Sequence, residues 1–128
     1  MRDYIPQKQD KYWLPANVYR QAKYAVRDYD RLKAEYNELL LPSVTGEGGG
    51  HGSTPGNPTE NSAMRRAQLS DRLTAIDRAV AQIPEEYRRG LLDNIMYGAA
   101  CPYTAGIATW SRQRRKLLYF VAKYLNIL

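Results

Sequence analysis

The side chains best placed to do chemistry lie close together near the C-terminus, in Trp110-Ser-Arg-Gln-Arg-Arg-Lys116, and no Asp or Glu follows Asp93. Their chemistry is that of cations facing an anionic polymer. Lys and Arg gain sequence-independent affinity for a phosphate backbone through counterion release, and a nearby carboxylate would work against it. On a helical wheel of 100° per residue, Arg112, Arg115, Lys116, Tyr119 and Lys123 gather on one side. Trp110, Leu117, Val121, Tyr124 and Leu128 gather on the other and form the expected buried stripe. With Ser111, the first set gives the expected DNA contacts, phosphate for most and a base edge for an Arg such as Arg112. Arg114 falls at the edge of the apolar stripe, so its stem is expected to pack while its guanidinium reaches Glu85 or Glu86. Without a partner, the same basic run would be an ordinary solvated helix face.

Other chemistries find little support. No Ser-His-Asp set, Cys-His pair or phosphate-binding glycine motif is present, so the expectation is a non-enzyme without cofactor. His51, the only histidine, sits in a glycine-rich stretch with no Cys or second His at ligand spacing, and no metal site is expected. The glycines from Gly46 to Gly56 lack the Lys-Ser or Lys-Thr that would close a phosphate loop. Cys101 stands alone, which precludes an intramolecular disulfide, and no apolar run suggests a signal peptide or a membrane span. The expected setting is the cytoplasm.

The 128 residues suffice for one small domain or two helical lobes. Their net charge of +6 is uneven: residues 84–128 carry seven basic side chains against three acidic, and 1–41 carry eight against six. Val18, Ala22, Ala25, Tyr29, Leu32, Tyr36 and Leu39 alternate steps of four and three, which predicts one long helix over 15–41, bounded by Pro15 and Pro42. Leu69, Leu73, Ile76, Val80 and Ile83 repeat the pattern over 59–83, up to Pro84. Joined by a flexible linker at 42–58, the two should pair antiparallel, within one chain or in a seam that also recruits a second copy. A third helix over 84–97 starts with Glu85 and Glu86 in its first turn and stops at Gly98, and a fourth is expected from an N-cap at Thr109. The fold class is therefore all-α: a long antiparallel helical hairpin over residues 1–83 and a smaller lobe over 84–128.

Ile83-Pro-Glu-Glu-Tyr-Arg-Arg-Gly-Leu-Leu92, followed by a glycine turn and a Thr-capped basic helix, resembles region four of bacterial sigma factors. A wider set of motifs comprises Tyr12-Trp-Leu-Pro15, Val18-Tyr-Arg20, Arg27-Asp-Tyr-Asp-Arg31, Asn57-Pro-Thr59 and Tyr119-Phe-Val-Ala-Lys-Tyr-Leu-Asn126. Taken in order, these resemble the small phage-encoded regulators of the RinA and ArpU type. The resemblance implies a helix-turn-helix activator of late phage genes that binds double-stranded DNA beside host RNA polymerase, at the nucleoid of the host cell. One departure is plain: residues 99–108, interrupted by Pro102 and Gly106, leave little room for the short supporting helix of a standard helix-turn-helix, so the motif is expected to be degenerate. A different function fits the same features. A DNA-packaging protein such as a small terminase subunit would build an oligomer from the hairpin and hold DNA with the basic helix.

Overall fold

In a computed structural model, residues 11–40 and 58–128 are described. They form five helices and no strand: α1 (Ala16–Arg27), α2 (Tyr29–Leu40), α3 (Pro58–Ala81), α4 (Glu85–Tyr97) and α5 (Ile107–Tyr124). The linker expected at 42–58, with His51, lies outside the described residues apart from Pro58, the first residue of α3.

The single helix expected over 15–41 is instead two. The chain turns at Asp28, whose carboxylate accepts from the Arg31 guanidinium at 2.8 Å and whose carbonyl still accepts from Leu32 N–H at 2.9 Å. The apolar spacing passes through this break unchanged, but the partners do not. α1 packs on α4 and α5, burying Ala22, Ala25 and Val26, whereas α2 packs on α3 around Leu32, Leu69 and Leu73. Three cross-links set the direction of that second pairing: Tyr29 to Asp77, the Leu32 cluster, and Glu35 to Arg65. Partner numbers fall along α3 as they rise along α2, so the two run antiparallel.

The separation expected at residue 83 is not a separation of cores. One buried cluster takes Leu14, Ala22 and Val26 from the first helical region, Ile76, Ala79 and Ile83 from α3 and its end, and Leu91, Trp110, Leu117, Leu118 and Val121 from the C-terminal part. Within it α5 is the central element, lying against α1, α3 and α4. Its buried arc is consequently wider than a one-sided stripe: Leu118 and Ala122 are enclosed along with Trp110, Leu117 and Val121, while Tyr124 is half-buried and Leu128 exposed.

Helix ends are marked by identifiable groups. Pro84 closes off α3, and Arg88 on the next helix donates from Nε to the carbonyl of Ile83 (2.8 Å) and from Nη2 to that of Ala81 (3.2 Å), supplying partners for carbonyls that the helix leaves over. Gly98 terminates α4 at φ +73°, a conformation a side chain disfavours. Asn126 takes the same left-handed conformation beyond α5, where Ile127 N–H returns to Ala122 and Asn126 N–H to Lys123.

Candidate nucleic-acid interface

Gly98 and the residues up to Gly106 form no helix, so α4 and α5 are joined without a supporting helix. The connection is nonetheless held at two points. Asn94 Nδ2 donates to the Ala99 carbonyl at 2.8 Å, and Trp110 Nε1 donates to the Pro102 carbonyl at 2.9 Å. Trp110 is itself fixed: its ring and that of Tyr87 meet edge-to-face at 5.2 Å, and it fills the space that a Cβ on Gly90 would take. α5 begins at Ile107, two residues before the expected Thr109 cap; Gly106 takes the N-cap position without a side-chain bond. The first-turn N–H groups of α5 therefore add positive potential, and its first turn holds no carboxylate.

The six residues expected to contact DNA are divided by their surroundings. Arg112 is exposed, and Ser111, Arg115 and Lys116 are half-buried, all within the first three turns of α5. Tyr119 differs in kind: its ring packs edge-on against Tyr12 and against Phe120, each at 5.3 Å, and it adjoins the main core. Tyr12 also reaches Phe120, at 5.9 Å. Residues 119 and 120 lie 100° apart on the helix, so a ring touching both covers the arc shared by Lys116 and Lys123. Lys123 is exposed beyond that ring, with its ammonium 5.9 Å from the Phe120 centroid. The basic side of α5 is thus fully exposed only at Arg112 and half-buried at Ser111, Arg115 and Lys116 over its first turns, and it is crossed by the Tyr12 segment farther on, which the wheel alone does not show.

Arg114 corrects another expectation. Its side chain is half-buried with Nε enclosed, and its guanidinium donates to Oδ1 of Asn94, not to Glu85 or Glu86. Asn94 thereby ties the connecting segment to α5 with both ends of its amide. Neither Arg114 Nε nor Gln113 Oε1 has a hydrogen-bond partner among the described residues, although both are enclosed.

Ionisation elsewhere follows local contacts. The Arg31 hydrogen bond holds the Asp28 carboxyl below its usual range, and that of Arg65 does the same for Glu35. Tyr29 is pushed up to about 12 by burial, reinforced by the bond it donates to Asp77 at 2.8 Å. Tyr97 is raised by donating to Asp30. Asp28 stands at the break between α1 and α2, Tyr29 and Glu35 on α2, and Tyr97 on α4. No group of three or more His, Cys, Asp or Glu side chains among the described residues is arranged to hold a metal, and no described helix is long and apolar enough to cross a membrane.

No family model, curated protein or solved structure matches the chain.

Proposed function

We propose that the chain is a DNA-binding transcriptional regulator of phage or prophage origin, acting on late genes alongside host RNA polymerase. The observation that carries the binding part of this reading is the start of α5: Arg112, Arg115 and Lys116 stand within three turns of a helix N-terminus, in a stretch from Asn94 to Leu128 that contains no acidic residue. Phosphate is the anion such a surface suits, because the helix dipole, the backbone N–H groups and the cations all act in the same direction. In this reading α4, the pinned connection and α5 serve as a degenerate helix-turn-helix lobe that offers the front of α5 to the duplex. The motif resemblance supplies the regulatory part. The reading is of a binding protein rather than an enzyme, at the nucleoid of the host cell, with a homodimer through the α2–α3 end as its natural assembly.

One observation suits packaging as a second reading as well as it suits that homodimer. Leu40 and Met64, at the same end of the α2–α3 pair, are 51% and 59% exposed. Apolar side chains there suit an oligomer built through that end. Selection of bound sequences from a random duplex pool, run beside light scattering on the free protein, separates the two. An enriched motif bound by a monomer or dimer supports regulation. Sequence-independent retention by a large ring supports packaging, and no retention of duplex overturns both.

A further inference from the structure

A groove of about 260 Å³ lies between α3 and α4, beside the start of α2. Its floor is apolar, made by Ile76 and Val80 of α3 and by Leu92 and Met96 of α4. Its rim is acidic: Asp30, Asp77 and Asp93 stand there against the guanidinium of Arg89, on a chain whose net charge is +6. Two of these carboxylates are held by phenols, Asp77 by Tyr29 at 2.8 Å and Asp30 by Tyr97, and a phenol orients a carboxylate without cancelling its charge. Arg89 meets Asp93 at 3.1 Å, but its side chain is 89% exposed and an i,i+4 pair of this kind holds it weakly. Lys33 lies over the Tyr29 ring, 5.7 Å from its centroid, and does not line the groove. The lining therefore combines an apolar floor with fixed negative charge that its own cation only partly offsets.

Size and charge together narrow the occupant. Small-molecule sites usually run to about 300–1,000 Å³, so this groove suits one or two side chains brought by a macromolecule. Nucleic acid is repelled by the rim. An Arg or Lys fits both surfaces at once, its aliphatic stem along the floor and its charged head at the carboxylates. Tyr97, 65% exposed, adds a ring face for the cation. The chain itself carries the complementary surface: Arg112, exposed, and Lys116, half-buried, stand one turn apart on α5 in a stretch from Asn94 to Leu128 without an acidic residue. No residue of α5 lines the groove, so these cations do not answer it within their own copy.

We propose that the α3–α4 groove of one copy takes Arg112 and Lys116 from α5 of another, a head-to-tail contact through which the free protein self-associates. The two surfaces differ, so each added copy leaves a groove and a basic turn unfilled, and addition continues until a ring closes or the chain of copies stays open. The contact is separate from the end of the α2–α3 pair that carries Leu40 and Met64, which lies opposite to Asp30 and Asp77. Its link to DNA rests on the reading above: if the same cations hold phosphate, duplex and second copy exclude one another.

Light scattering on the full chain at about 0.05 M salt should give an average mass that climbs with protein concentration; at about 0.5 M, where the screening length is roughly threefold shorter, the association should weaken by about tenfold or more. Asp30→Asn/Asp77→Asn/Asp93→Asn removes the charge while keeping an acceptor for each phenol, and Arg112→Ala/Lys116→Ala removes the cations. With parental circular dichroism, neither variant alone should show the climb. Mixed, they should associate with one another, because between them one intact groove and one intact pair of cations remain. A short duplex should disperse the parental assembly. A parental mass that does not climb at low salt would overturn the proposal, as would a mixture of folded variants that does not associate. A climb that persists in either variant alone would overturn it by giving the contact to another surface, and so would assemblies that persist with duplex bound. Assemblies of a parent that binds no duplex would leave the groove contact standing and remove the DNA reading instead.

Discussion

Adding one methyl group at Gly90 tests how the start of α5 is held. In an open helix interior Gly→Ala raises stability by roughly 1 kcal/mol. Here an added Cβ would meet Cη2 of Trp110 at 2.7 Å, Cζ3 at 3.0 Å and Cδ of Pro102 at 3.1 Å. The indole cannot easily retreat, because its Nε1 is bonded to the Pro102 carbonyl and the Tyr87 ring packs against it. Overpacking costs about 1–3 kcal/mol, and an approach of 2.7 Å to a pinned ring belongs in the upper part of that range, ~2–3 kcal/mol, which outweighs the gain in propensity. Gly90→Ala is therefore expected to lower stability by ~1–2 kcal/mol net, a fall in Tm of about 3–10 °C for a chain of this size. Urea and thermal unfolding followed by circular dichroism give the value. In a Trp110→Phe background the clash is relieved, so the same methyl should become neutral or stabilising, a coupling that a double-mutant cycle detects. A Tm that rises on Gly90→Ala in the parental chain would refute the close packing of α4 on Trp110.

Three further outcomes follow from individual contacts. Tyr29 keeps its proton in the folded state up to about 12 against an ordinary 10; its contribution is present below pH 10 and lost as pH rises from 10 through 12, so Tyr29→Phe should flatten that part of the alkaline stability profile. Leu69, fully buried between α2 and α3, should cost ~2–5 kcal/mol when changed to Ala, with faster amide exchange in α2 and the facing half of α3 than in α4 and α5. Equal loosening of all five helices would argue against that local response. Arg114→Met keeps the packed stem and removes only the bond to Asn94, so stability should fall by ~1 kcal/mol or less and the salt dependence of duplex binding should stay parental; a shallower salt dependence would place Arg114 on the phosphates.

Which features could be read from the sequence depends on how local their causes are. Whereas of the expected polar side of α5 only Arg112 and Lys123 are fully exposed, the all-helical class and the stops at Pro84 and Gly98 follow from spacing and from residues with strong local preferences, and they are found as expected. The break at Asp28 does not, because Tyr29 and Leu32 continue the four-three rhythm of Ala22 and Ala25 while turning to a different partner. Leu118 and Ala122 look peripheral on a two-sided wheel, yet three helices surround α5 and enclose them. Tyr119 carries a polar hydroxyl on the polar side, and only the position of Tyr12, more than a hundred residues earlier, turns it into a packing residue. Gly90 shows the same limit: its need for a bare Cα comes from Trp110 on another helix. For the candidate interface, residue type and charge were legible, whereas how much of the face stays open was decided by distant contacts.

The central claim, that the first turns of α5 hold the phosphate backbone, is tested most directly by the salt dependence of duplex affinity in an Arg112→Ala/Arg115→Ala/Lys116→Ala protein whose helicity is intact. If each side chain answers one phosphate, the slope of log affinity against log salt should become shallower by about 0.9 per lost contact, ~2–3 in all, and affinity should drop accordingly. Parental affinity with the parental slope would contradict the claim and leave this side of α5 as an ordinary solvated surface.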